Sequence, residues 1–418
     1  MQFTTAYGTP GISGQARISL NGVTYNNTMH NPKEQFLLDP EVVFLNHGSY
    51  GATPGPVFEA YQNWQRRLER QPVLFLGREF NGLMEEARQA LGRYLNAGAD
   101  DLVYIPNATH GANIIARSLN LQPGDEILTT DHEYGACDYT WEYHCGKAGA
   151  RYVRQPVPLP VRSEAEIIEQ LLSGITPRTK AVYFSHITSS TALCLPVRQI
   201  SRRVRELGLL SIVDAAHAPG QVAVDLQALG ADIVFGNCHK WMLAPKGSAF
   251  LYMRREVQHL IEPLIVSWGY NPTPEIATHS RFIDLLQWTG TKDPSAALAV
   301  PAAIQFMEEN DWERVRYRCH LLLLQAIKRI GKLTGLPPVI PLDSVFIGQM
   351  GVVPLPVLDP SVLKSRLYDE YKIEVPVVQW KDKLFIRISV QAYNDQADID
   401  ALLRALTILL PQTTSVLP

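Results

Sequence analysis

Between residues 102 and 252, short apolar runs alternate with stretches of helical periodicity, and this alternation constrains the fold more than any other feature of the chain. The runs at 102–105, 126–128, 151–153, 181–184, 210–213, 233–236 and 249–252 read as buried strands. Helical spacing begins at His110, returns near 134–146, and recurs at 164–173 and 197–207. Strands alternating with helices imply βαβ units, so the expected class is α/β, a mostly parallel sheet flanked by helices on both faces. In such sheets ligands bind beyond the carboxyl ends of the strands, and chemistry is to be sought there.

The 418 residues are more than one core usually takes, and the pattern changes along them. Residues 1–35 are rich in turn formers with weak periodicity and read as an N-terminal arm, either without fixed structure or wrapped around a partner subunit. Helical spacing over 57–70 and 83–95 leads into a large domain, 36–294. Beyond it a helical stretch, 295–310, continues into 312–333. Apolar runs at 345–347 and 351–354, a helix over 361–370, a strand at 385–389 and a helix from 395 to 410 follow. These read as a smaller C-terminal α+β domain, 295–418.

A formal net charge of −3 gives no bulk basicity for nucleic acid, and the cluster Arg202-Arg203-Val204-Arg205 reads as a solvated helix face. No run approaches the roughly 20 apolar residues that span a bilayer, so no membrane partner is expected. The first 14 residues lack the basic-then-apolar order of a signal peptide. Cys137, Cys145, Cys194, Cys238 and Cys319 are sparse and lack metal-ligand spacing. A reduced, cytoplasmic setting without disulfides or a metal site fits them best.

Three strand ends carry the chemistry. The first runs into Pro106-Asn107-Ala108-Thr109-His110-Gly111, where Thr109 is expected as the N-cap of a helix whose positive end suits a phosphate. The strand 210–213 ends in Asp214-Ala215-Ala216-His217. The strand 233–236 runs into Asn237-Cys238-His239-Lys240, ahead of a Pro/Gly turn. An acid and then a lysine on successive strand ends point to pyridoxal 5′-phosphate held as a Schiff base on Lys240, with Asp214 on its ring nitrogen.

On these residues, across roughly 40–410, the chain resembles the class V aminotransferase family of pyridoxal phosphate (PLP) fold type I. Leu45-Asn46-His47-Gly48-Ser49-Tyr50-Gly51 and Asp131-His132-Glu133-Tyr134-Gly135-Ala136 resemble its isopenicillin N epimerase-like branch. The resemblance implies roles. Lys240 would carry the cofactor and shuttle the Cα proton. Asp214 would keep the pyridine nitrogen protonated, His217 would reach the phenolic oxygen, and Tyr134 would stack on the ring. Ala108 and Thr109 would bind the phosphate, with Asn237 and His239 completing the cup. Thr291, in Trp288-Thr289-Gly290-Thr291, would reach the phosphate in a neighbouring subunit, which implies a homodimer with shared active sites. Arg387 would clamp the α-carboxylate of an amino acid substrate, as the fork of a guanidinium allows. Asn46 and His47 would line the substrate pocket.

Two departures bear on the reaction. Relatives that take sulfur as a persulfide carry a cysteine on a loop before that arginine. Residues 374–383 hold none, which disfavours a desulfurase. Ser189 stands where relatives often have Asn near the ring. The resemblance implies epimerase-like proton transfer at the α-carbon of an amino acid or small peptide. A C–S lyase acting by β-elimination on a cysteine-derived or sulfoxide substrate comes second, and an aminotransferase third. Epimerisation needs a proton donor facing Lys240 across the substrate, for which Tyr134, His47 or a water stands open.

Overall fold

The computed structural model describes residues 32–274 and 276–410. The arm expected over 1–35 therefore lies, up to residue 31, outside the described residues. Seven strands form the central sheet: β1 (Leu102–Ile105), β2 (Glu126–Thr130), β3 (Arg151–Gln155), β4 (Thr179–Ser185), β5 (Leu210–Asp214), β6 (Ile233–Asn237) and β7 (Ala249–Met253). Their order across the sheet is β1-β7-β6-β5-β4-β2-β3. The pairs from β6 to β3 are parallel, whereas β7 runs antiparallel to both β6 and β1. Strands β1, β2, β6 and β7 are buried along their length, as near-continuous apolar runs covered on both faces require.

The register fixes where chemistry can occur. Ser185 pairs with Asp214, Asp214 with Phe235, and Asn237 with Ala249, so these carboxyl ends share one edge. The antiparallel turn of the chain from β6 into β7 happens on that edge, and it carries Lys240 on residues 238–248.

Helices α1 (Gly55–Arg70), α2 (Phe80–Leu95), α3 (Ala108–Ser118), α4 (Gly135–Ala148), α5 (Glu164–Leu172) and α6 (Val197–Glu206) surround the sheet. Helix α3 lies close on β6: a Cβ at Gly111 would sit 2.9 Å from the Phe235 Cβ. Its cap is Asn107 rather than the expected Thr109. Asn107 is extended (φ −165°, ψ 169°) and its side chain accepts from the His110 N–H at 2.9 Å, so the helix starts two residues earlier. The arginines of α6 form ion pairs, Arg203 with Glu169, Arg202 with Glu206 and Arg205 with Asp232.

The C-terminal unit holds α7 (Val300–Glu309), α8 (Trp312–Thr334), α9 (Pro360–Tyr371) and α10 (Gln396–Leu409) around an antiparallel sheet. That sheet is ordered β9-β10-β8, from β8 (Met350–Leu355), β9 (Val377–Trp380) and β10 (Lys383–Ser389). The helix expected over 295–310 is broken at Ala299, because Pro301 lacks an N–H and sits in the first turn of the restarted helix. Residues 345–347 form a turn, not a strand. Phe346 and Ile347 are buried there, but the Phe346 carbonyl accepts from the Cys194 N–H instead of a ladder partner.

The N-terminal stretch crosses to this unit. Val43 and Phe44 pair in parallel with Ile373 and Glu374, and the Ser389 N–H donates to the Leu45 carbonyl at 2.9 Å. Residues 46–50 are thereby delivered to the seam between the two sheets. Among the described residues no helix is long and apolar enough to cross a membrane.

Candidate active site

A cavity of about 390 Å³ opens at the carboxyl edge of the large sheet. Lys240, Asp214, His217, Asn237, His239, Tyr134, Ala108 and Thr109 all line it, so residues more than 130 positions apart in sequence converge on one space.

Lys240 lies at its base. Burial lowers the lysine to about 8, because the ammonium loses its water, and the carboxylate of Asp214 opposes the shift. Its Nζ lies 3.2 Å from His217 Nε2. On the other face of that imidazole, Trp241 Nε1 donates to Nδ1 at 3.3 Å. Burial and the charges of Lys240 and Arg387 hold His217 neutral, well below the usual histidine range. Asp214 is buried at the end of β5, accepts from the Ala216 N–H at 2.8 Å, and is touched by Cys137 and Tyr183. Desolvation raises this carboxyl, so a cationic partner would be well placed beside it.

The first turn of α3 also lines the cavity and brings the helix's positive dipole end to it. Asn237 Oδ1 accepts from the Ala108 N–H at 2.9 Å, which ties that turn to β6. Asn237 thus spends its oxygen on holding the helix start. His239 is fixed by its Nδ1 on the Ser248 carbonyl at 2.9 Å, and burial lowers it to about 4. Lys246 also lines the cavity, and its Nζ donates to the Gly51 carbonyl at 3.0 Å. Gly51 has φ +72°, and a Cβ there would sit 2.2 Å from the His239 carbonyl oxygen, so the chain passes against the lysine loop with no room for a side chain.

The third group comes from the C-terminal unit. Arg387 on β10 donates to the Ser189 carbonyl at 2.7 Å and to Ser49 Oγ at 3.1 Å, with Asn46 Oδ1 at 3.5 Å. Its Nε is buried with no partner among the described residues, and burial lowers the guanidinium to about 10. The one group that offsets this is Tyr134; among the described residues no carboxylate pairs with it. A buried cation with neutral partners and an open cavity beside it is arranged for an incoming anion.

The remaining expected residues divide. Asn46 joins the Arg387 network and is braced by Glu374, to which its Nδ2 donates at 2.8 Å. His47 is not on the cavity wall. It is fully buried, its Nε2 lies 3.1 Å from the Lys240 carbonyl, its Nδ1 lies 3.0 Å from Tyr393 Oη, and burial lowers it to about 3. It braces the lysine loop from behind, which leaves it no face toward a substrate. Thr291 is exposed and away from this cavity. Ser189 spends its carbonyl and hydroxyl on Arg387. Tyr134 stands half-exposed at the start of α4, on the wall beside Tyr50.

Sequence reasoning missed Glu133, Ser49 and Trp241. Glu133 is fully buried beside Asp214, accepts from Thr130 Oγ1 and Ser185 Oγ, and is pushed up to about 8 by burial. Its one signal was an acid three residues beyond the end of a fully buried strand.

The class V aminotransferase family matches residues 51–402 of the chain. The chain is 36% identical to an isopenicillin N epimerase of Amycolatopsis lactamdurans over 388 residues, 90% of this chain and 97% of that protein. It is 29% identical to a probable chloroplastic L-cysteine desulfhydrase of Arabidopsis thaliana, over 89% of this chain and 84% of that one. Among solved structures, the apo cysteine desulfurase of Thermococcus onnurineus NA1 superposes with a TM-score of 0.77 at 20% identity, covering 90% of this chain and 97% of that one.

Proposed function

The chain belongs to the class V aminotransferase family of pyridoxal 5′-phosphate enzymes, and from that premise we propose that it moves a proton at the α-carbon of an amino acid or small peptide, in the manner of an isopenicillin N epimerase. The observation that carries the reading is a cavity-lining lysine lowered to about 8 together with a buried arginine that bonds Ser49 and Ser189 of the cavity wall and has no carboxylate partner among the described residues.

The residues present fit the cofactor. A desolvated acid, Asp214, would be compensated by a protonated ring nitrogen, a helix N-terminus on the same cavity would suit a phosphate, and a lysine lowered to about 8 lines that cavity with them. Bound there, pyridoxal phosphate supplies an electron sink for the pair left behind when a bond at the α-carbon breaks.

The chain's own groups do the rest. Asp214 holds the ring nitrogen's proton. Arg387 grips the α-carboxylate, and this grip fixes which bond at the α-carbon is presented for cleavage. Lys240 Nζ takes the α-proton, a task for which a base lowered to about 8 is suited near neutral pH. Tyr134, which lines the cavity, or a water there would return a proton from the far face. His47 is excluded from that role by its burial behind the lysine loop. Thr291, exposed on this chain, is assigned to the cavity of a second copy, in a homodimer with shared sites.

A second reading, β-elimination at a C–S bond, is supported by the relative named as an L-cysteine desulfhydrase. The test is incubation of the PLP-loaded protein in heavy water with a panel of L-amino acids, small peptides and S-substituted cysteines. Deuterium at an inverted α-carbon is the expected result. Keto acid with ammonia would replace the proposal by the lyase reading, and accumulation of the pyridoxamine form would replace it by transamination.

A further inference from the structure

Trp241 follows Lys240 in sequence, and the two consecutive side chains grip opposite edges of one imidazole. Trp241 Nε1 lies 3.3 Å from His217 Nδ1, and Lys240 Nζ lies 3.2 Å from His217 Nε2. An indole nitrogen is a donor and never an acceptor, so the nitrogen it faces must offer a lone pair. In a neutral imidazole that leaves the proton on the other nitrogen. We propose that Trp241 is a positioning residue that fixes the tautomer of His217, so that His217 presents an N–H to Lys240 Nζ and holds the lysine as a neutral amine.

The alternative arrangement is excluded by the same geometry. A lysine ammonium donating to Nε2 would require the imidazole proton on Nδ1, where it would point at the Trp241 N–H. Both partners are buried, Trp241 fully and His217 nearly so, and no solvent is at hand to relieve two opposed donors. The indole is itself held in place, with its ring 4.9 Å from that of His47. His47 in turn bonds the Lys240 carbonyl, so the brace behind the lysine and the donor that orients its neighbour form one packed unit.

Other groups also act on this amine. Asp214 at the end of β5 and Cys137 on α4 favour its charged form, and Arg387 on β10 disfavours it. His217 feels Lys240, Arg387 and His47, while Lys246, on the lysine loop, acts on His47 and His239. None of these touches the Nδ1 edge of His217, to which, among the described residues, only Trp241 Nε1 bonds. Removing that single N–H therefore isolates its effect.

The proposal rests on Lys240 as the residue that captures the cofactor, but its first test does not. In the full-length chain without cofactor, the 15N signals of His217, assigned by their loss in His217→Gln, report which nitrogen is protonated. The expected wild-type result is a proton on Nε2. A proton on Nδ1 in the wild type overturns the proposal, whatever any variant does. In Trp241→Phe, which keeps a ring against His47, the proton should move to Nδ1, at least in part. Capture of added pyridoxal phosphate, followed by growth of its visible band, should then shift its pH midpoint upward. Capture at pH 7 should slow about tenfold per unit of that shift. An unchanged tautomer with an unchanged midpoint overturns the proposal. A wild-type band that survives in Lys240→Ala would instead defeat the reading of Lys240, and the 15N result would still decide the claim for Trp241.

Discussion

Arg387 and Ser189 join the two sheets of the molecule: the guanidinium on β10 donates 2.7 Å to a carbonyl in the loop that follows β4. The same arginine meets Ser49, delivered by the crossing N-terminal stretch. Three segments distant in sequence thus meet at one cation. Arg387→Lys keeps the charge but gives up the planar fork. It should cut kcat/KM by about tenfold to a hundredfold, mostly through KM, as expected for losing charge-assisted hydrogen bonds. Steady-state kinetics on an amino acid and on its amide check this: the amide, lacking the carboxylate, should not distinguish the two enzymes.

Glu133 gives a pH-dependent stability. Burial raises it from 4.5 to about 8, so the folded chain holds a proton that the unfolded chain has released across that window. Its contribution is complete below the unfolded value and is lost as pH rises through about 8. Glu133→Gln imitates the protonated form at all pH values. Its melting temperature should match that of the wild type near pH 5 and exceed it near pH 9; equal differences at both pH values would refute the assignment.

Trp380 packs against His132 in a tilted pair, with ring centroids 4.4 Å apart, and its Nε1 donates to the Asp131 carbonyl at 3.2 Å. Lys381 beside it pairs with the Asp131 carboxylate. Trp380→Ala should cost about 3 kcal/mol of stability by chemical denaturation. It should also raise KM more than it lowers kcat, because the hairpin that carries Arg387 loses its tip anchor.

Gly51→Ala introduces a methyl 2.2 Å from the His239 carbonyl at a backbone φ of +72°. The lysine loop must move or the segment must unfold. The expected outcome is loss of the visible cofactor band in any protein that remains folded. A variant with wild-type absorbance and melting temperature would refute the tight approach described above.

Much of the architecture was legible because it is local. Each strand of the large sheet announced itself by apolar run length, and Asp214 and Lys240 were found because chemistry collects at strand ends. What stayed hidden depends on partners far away in sequence. The antiparallel insertion of β7 between β1 and β6 is a choice of neighbours that no local pattern encodes. His47 was read as a pocket residue because its motif borders the site. Its burial against Tyr393 and Trp241 comes from segments about 350 and 190 residues away, respectively. Thr109 was taken as a helix cap on residue type alone, yet Asn107, which is equally able, had the extended backbone. Trp241 is core, and only the edge of the imidazole it faces makes it more.

The hairpin of β9 and β10 is tied at both ends, at its tip through Trp380 and Lys381 and near its base through Arg387. Residues 374–383, which include the tip of this pinned strand pair, contain no cysteine. The consequence concerns traffic. For an atom removed from a substrate in this cavity, the hairpin offers no cysteine thiol on which it could be carried covalently.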